Sequence, residues 1–199
     1  IADGDWSSDV CSSDLALVFA RERRAFGRAV ADQPLFRRQL TDRQRVLREA
    51  FALAWAAASE LDAVWLEQPP YSERHHRFRL LAHLAKYWTA AAAVDASRWA
   101  MEALGGNGAI AQFGVERLLR EAMILSIWEG TPHRQMLDGL AVMQRQRAHE
   151  SLFEWLGEPA GVDARRHEIE HLLGQDPDNR EAGVEPVFRA LAAWTAGVL

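Results

Sequence analysis

Residues 47–65 read Leu47-Arg48-Glu49-Ala50-Phe51-Ala52-Leu53-Ala54-Trp55-Ala56-Ala57-Ala58-Ser59-Glu60-Leu61-Asp62-Ala63-Val64-Trp65. Leu47, Phe51, Ala54, Ala58, Leu61 and Trp65 advance by alternating steps of four and three. A helix brings such positions onto one stripe, whereas a strand sends successive residues to opposite faces. The spacing predicts a long core-facing helix, about Phe36 to Glu67, stopped by Pro69-Pro70 because proline has no amide to donate. A second long helix is expected from about Glu73 to Leu104, with Leu84, Trp88 and the small residues around Ala91 letting a neighbour approach. Gly105-Gly106-Asn107-Gly108 breaks it.

Outward from this pair the pattern stays helical. Upstream, Ala16 to Arg24 is short and amphipathic, with Gly27 placed as its C-cap, and a polar connection containing Pro34 follows. Downstream lies a short element from Val115 to about Glu121. Ile127-Trp128-Glu129-Gly130-Thr131-Pro132 then opens a helix reaching about His149, with Thr131 as N-cap and Pro132 in the first helical position. Asp163 to Leu173 and Val184 to Val198 are weaker helical stretches, the second with Val187, Leu191, Trp194 and Val198 on one face. Gly174 to Gly183 between them reads as a polar loop. No segment alternates as a strand. The expected class is all-α: an antiparallel four-helix-bundle-like domain over residues 16–149, with a helical C-terminal extension over 150–199.

Lys and Arg number 23 against 28 Asp and Glu, a net charge of −5, so no basic surface argues for nucleic acid. No apolar run approaches the length that spans a bilayer, and Ile1 to Asp5 lacks a secretory signal's pattern, so a cytoplasmic setting is expected. The one cysteine, Cys11, allows no disulfide framework and no thiolate metal site. Asp5 to Leu15 is rich in Ser and Asp without helical period and resembles translated sequencing adapter; residues 1–15 are expected to be a non-native or disordered leader.

Two segments carry candidate chemistry. The glycine cluster either lets backbone amides approach something bulky or anionic, or simply ends a helix. Glu129 follows Ile127 and Trp128, which could desolvate its carboxylate and raise its pKa towards that of a general base; an ordinary acid favoured by a helix dipole is the alternative. His75, His76 and His83 lack a completing acidic or thiol ligand, and a solvated face accounts for them; no metal is expected. Arg37, Arg38, Arg43, Arg45 and Arg48 read as a solvated face or as ion-pair partners for another subunit, rather than as a nucleic-acid patch.

Taken in order, Arg-x-x-Phe-Gly at Arg23 to Gly27, Leu-Gly-Gly-Asn-Gly at Leu104 to Gly108, Arg-Leu-Leu-Arg-Glu-Ala at Arg117 to Ala122 and Ile-Trp-Glu-Gly-Thr at Ile127 to Thr131 resemble the C-terminal domain of the acyl-CoA dehydrogenase family. The resemblance spans about Ala16 to Arg145 and implies a chain without that family's N-terminal and middle β domains. It implies that Glu129 is the base removing the α-proton of an acyl-CoA thioester while a hydride leaves for FAD, and that the Glu129 amide donates to the thioester carbonyl. It further implies FAD contacts at Arg23, Phe26, Glu102, Gly105, Gly106, Thr131 and His133, a homodimeric or homotetrameric assembly, and electron-transfer flavoprotein as a possible acceptor. Glutamate at 102 departs from the glutamine of many members and is similar to the AidB-related subgroup of stress-response proteins. His133 stands where asparagine or glutamine is common, and Ala109 where an aromatic is usual.

Overall fold

Pro34 and Glu73 open the two longest helices of the computed structural model, which describes the backbone of residues 8–199 and side chains from Ser13 onward. In chain order the elements are α1 (Ser8–Glu22), β1 (Arg24–Ala25), β2 (Arg28–Ala29), α2 (Pro34–Val64), α3 (Glu73–Ala103), α4 (Val115–Ile127), α5 (Pro132–Gln146), α6 (Ala148–Trp155), α7 (Val162–Leu173) and α8 (Pro177–Val198). Short 3-10 turns fill Val30–Asp32, Gly105–Ala109 and Ala111–Phe113. Among the described residues the protein is all-α apart from one hairpin of two two-residue strands. No described helix is long and apolar enough to cross a membrane.

Residues up to Arg48 and Ala90–Trp128 form one compact unit. Its core is Ala16 and Ala20 of α1, Phe36 of α2, Trp99, Ala100 and Leu104 at the end of α3, and Val115 at the start of α4. The Phe36 and Trp99 rings lie 5.3 Å apart, and Trp99 Nε1 donates to Gln39 Oε1 at 3.2 Å. The expected basic face is largely paired within the chain: Arg37 meets Asp32, Arg38 meets Asp42, and Arg43 meets Asp95 while lying over the Trp99 ring. Helix α1 begins at Ser8, so part of the stretch set aside as a leader is helical, and Ser13 is buried; residues 1–7 lie outside the described residues.

Glu49–Thr89 and Glu129–Leu199 form the other unit. Leu53, Leu80, Leu81, Leu84, Met143, Leu152, Phe153, Ile169, Phe188 and Leu191 are its fully enclosed centre. Residues 150–199 are therefore not an appendage in packing terms, since they supply much of this core. Gly139 explains how α8 reaches α5: a Cβ there would sit 2.3 Å from the Phe188 ring, so only glycine leaves room.

In the second half of α2 the buried positions are Ala50, Leu53, Ala57, Glu60 and Val64, while Phe51, Trp55 and, just past its end, Trp65 are exposed. Residues 50–58 are apolar around the whole helix, so the 3.6-residue period was right and the face it selected was wrong. Glu60 tolerates burial because Arg77 and Arg74 donate to it at 2.6 and 2.8 Å. Helix α5 stops at Gln146, where Arg147 turns left-handed (φ 50°) and α6 begins, an element not expected from the sequence. Helix α8 starts at Pro177 rather than Val184, with the Asp176 carboxylate accepting from Asn179 N at 3.1 Å, and its buried face is Val184, Phe188, Leu191, Ala192 and Thr195. Asp-Pro supplies an N-cap and a first helical residue, which outweighs the polarity that suggested a loop.

Candidate functional site

Around Arg23 the chain makes the small hairpin instead of a helix cap. Arg24 pairs with Ala29 and Ala25 with Arg28, leaving Phe26 and Gly27 as the two central turn residues at φ 52° and 81°. Two positive φ values in a two-residue hairpin match the twist of the strands, which is why Gly27 sits there rather than at a helix end. Arg23 is fixed through its backbone, donating to Phe19 O at 2.9 Å and accepting from Val30 N at 2.8 Å, while its side chain faces solvent. The Phe26 ring projects from the tip, 96% exposed.

In the same unit, Glu102 is exposed on the last turn of α3. Gly105 follows at φ 61°, the left-handed stop of that helix. Gly105 and Gly106 are exposed, with open space where a Cβ would stand. Gly108 is different: a Cβ would meet Met101 O at 2.2 Å, so this glycine is required by close packing. The cluster therefore ends the helix at Gly105 and packs at Gly108, while Gly105 and Gly106 leave open space beside them.

In the other unit, Thr131 caps α5, its Oγ1 accepting from Arg134 N at 3.4 Å, with Pro132 in the first turn as expected. Glu129 lies two residues before the cap, at φ 59°, followed by Gly130 at φ 108°. The anticipated desolvation is absent among the described residues. Glu129 is exposed, Ile127 ends α4 at 57% exposure, and Trp128 is at 66%. Adjacent apolar residues do not cover a carboxylate when all three stand at a helix-to-helix turn.

Residues that sequence reasoning passed over hold this turn. Gln135 is buried one turn into α5, and its Nε2 donates to Glu129 O at 3.1 Å and to Gly130 O at 3.2 Å. Its Oε1 meets His83 Nδ1 of α3 at 2.8 Å, so His83 belongs to a defined contact rather than a solvated face. Lys86, one turn further along α3, has its ammonium pKa pushed down by burial, and the Glu129 charge acts in the opposite direction. A polar side chain on the buried face of a helix's first turn is the one sequence signal that could have pointed to Gln135.

His133 is exposed and borders a cleft of about 670 Å³ with Pro132 and Met136 on one side and Asp178, Glu181 and Glu185 of α8 on the other. Three carboxylates make this wall unfavourable to phosphate. His149, Glu150 and Glu170 bring three ligand-type atoms within 4.8 Å of one another. Their carboxylates already pair with Arg147 and Arg166, at 2.6 and 3.0 Å.

Residues 11–144 match the family model for the acyl-CoA dehydrogenase C-terminal domain. The match begins inside the stretch set aside as a leader. YngJ of Bacillus subtilis (strain 168) is 32% identical over 125 residues, covering 62% of this chain and 30% of its own length. AidB of Escherichia coli (strain K12) is 31% identical over 157 residues, covering 75% of this chain and 27% of its own. Both carry acyl-CoA dehydrogenase in their names. Among solved structures, the apo form of Bd2924 superposes with a TM-score of 0.84 at 24% identity, covering 96% of this chain and 38% of that one. This chain spans about 30% of the length of the curated relatives it matches.

Proposed function

We propose a function from the premise that this chain belongs to the acyl-CoA dehydrogenase family through its C-terminal domain: it is part of an enzyme performing FAD-dependent α,β-dehydrogenation of acyl-CoA thioesters, with Glu129 as the base. The observation that carries the assignment is the Glu129-Gly130 turn. A non-glycine residue held left-handed immediately before a capped helix start, inside the family-matched segment, is the kind of conformational cost that persists where function requires it.

The ionised Glu129 carboxylate takes the α-proton and becomes the neutral acid, the electron pair of that C–H bond forming the new double bond as a hydride leaves the β-carbon. The Glu129 amide donates to the thioester carbonyl as negative charge grows on its oxygen. When bound, FAD supplies the acceptor for the hydride. The residues of each unit, taken separately, suit it: in one, exposed Gly105 and Gly106 allow close approach of a ring system, Phe26 offers a free aromatic face and Arg23 a cation; in the other, the α5 N-terminus with Thr131 offers backbone amides to an anion. His133 and its carboxylate wall fit hydroxyl-bearing parts of a nucleotide better than phosphates. We propose for the whole protein a homodimeric or homotetrameric assembly, with electron-transfer flavoprotein or oxygen as the candidate electron acceptors.

Glu129→Gln in the whole protein carrying this chain is expected to abolish flavin reduction by acyl-CoA while leaving FAD bound. Retained reduction refutes the base assignment. A second reading, a flavin-containing stress-response protein with weak dehydrogenase activity, is favoured by Glu102 and the AidB match. Anaerobic bleaching of the flavin by a panel of acyl-CoAs separates the two: rapid bleaching supports the dehydrogenase, and slow or no bleaching across the panel supports the second.

A further inference from the structure

Gln135 Nε2 engages two carbonyls, those of Glu129 and Gly130. A primary amide has two N–H donors and one oxygen, so Oε1 is left as acceptor. Oε1 faces His83 Nδ1 at 2.8 Å, which makes that ring nitrogen the donor. Reversing the amide would set its oxygen against two carbonyl oxygens, so the carbonyls fix the orientation of Gln135. That orientation in turn selects the His83 tautomer protonated at Nδ1, and the His83 bond holds Gln135 against the turn. Gly130 completes the fit: besides φ 108°, a Cβ there would lie 2.6 Å from Gln135 Nε2.

We propose that Gln135 and His83 form a positioning clamp, holding both carbonyls of the left-handed Glu129-Gly130 turn and so aiming the Glu129 carboxylate and amide. The catalytic consequence rests on Glu129 being the base; the structural one rests on the geometry alone. Neither clamp residue touches the reacting atoms. They act through Glu129.

Three variants test this: Gln135→Met, which keeps the volume and removes the donors; His83→Phe, which removes Nδ1; and His83→Asn, whose Nδ2 can donate from nearly the same position. In the 199-residue chain, cleavage after Glu129 by a glutamate-specific endoprotease is compared with cleavage after other glutamates. We expect it to quicken about tenfold in Gln135→Met and His83→Phe, and to change less than about twofold in His83→Asn. In the flavin-loaded whole protein, the first two should lower the saturating rate of flavin reduction about 10- to 100-fold with half-saturation nearly unchanged, and His83→Asn should restore it. Unchanged cleavage in both disruptive variants, or His83→Asn behaving like His83→Phe, overturns the clamp. Faster cleavage with unchanged flavin reduction overturns its positioning role. A wild-type protein that reduces no flavin refutes the proposed reaction, and the cleavage comparison still decides the clamp. If Gln135→Met does not fold, the two His83 variants decide it.

Discussion

Phe26, Glu129, Arg147 and Glu158 are the non-glycine residues with left-handed backbones among those described. An L side chain avoids that region because its Cβ crowds the backbone, so each must be compensated by its surroundings. Arg147 is compensated by the α5–α6 junction and by its bond to Glu170. Phe26 has no such cover: its turn favours asparagine or glycine, and its ring is almost fully exposed. Phe26→Asn is therefore expected to stabilise the chain by about 0.5–1 kcal/mol in urea unfolding, and to weaken FAD retention by the whole protein. A destabilised variant would mean that the ring contributes packing. Thr131-Pro132 and Gly105 were legible from sequence because a cap and a left-handed stop are local requirements with characteristic residues. The Phe26-Gly27 turn was not, since Gly after an amphipathic segment satisfies a helix C-cap equally well; only the pairing of Arg24 with Ala29 chooses between them.

Elements show where periodicity stops being sufficient. Helix α2 has the expected repeat, but its apolar residues surround it, and the buried face is chosen by a charge: Glu60 goes inside because Arg74 and Arg77 of α3 meet it there. Tertiary pairing of that kind leaves no trace in the spacing of one helix. Helices α6 and α7 are joined by a similar network, in which fully buried His149 places Nε2 3.1 Å from Glu170 Oε1. Burial pushes the His149 pKa below its ordinary 6.5, against the Glu170 hydrogen bond and the Glu150 charge, with Arg147 adding to burial. His76 shifts downward too, first through burial and then through the charges of His75 and Arg79. A lowered histidine pKa means the unfolded chain binds protons that the folded one refuses. The associated stability is full above the ordinary value of 6.5 and is lost as pH falls towards the lowered folded values. Glu60 and Glu170, also lowered, lose their contributions only below about their ordinary 4.5. The urea midpoint should therefore fall between pH 7 and roughly pH 5. His149→Gln should reduce that slope, and the double variant with His76→Gln should flatten it. An unaltered slope in the double variant would remove both histidines from the explanation.

At the scale of the whole molecule, the two units have separate cores, and the candidate residues are divided between them: Arg23, Phe26, Glu102, Gly105 and Gly106 in one, Glu129, Thr131 and His133 in the other. The order of motifs along the chain nominates these residues but does not say what surrounds them. Ile127 and Trp128 show the gap most clearly, since their sequence neighbourhood suggested a dry carboxylate and the fold leaves both more than half exposed. Water around Glu129 bears directly on its chemistry. The α-proton of a thioester is a far weaker acid than a carboxylic acid, each pKa unit of the gap being worth about 1.4 kcal/mol. Closing that difference takes a site that excludes water and aims donors at the developing oxyanion. This chain offers the Glu129 amide and carboxylate, but no described residue closes over them. The purified 199-residue chain, supplied with FAD and acyl-CoA, is therefore expected to show no flavin reduction above a level about a thousandfold below the ~10 s⁻¹ typical of enzymes, measured anaerobically by flavin absorbance. Turnover at an ordinary enzymatic rate would show that these residues make a working site unaided, and that the exposure of Glu129 does not limit its action as a base.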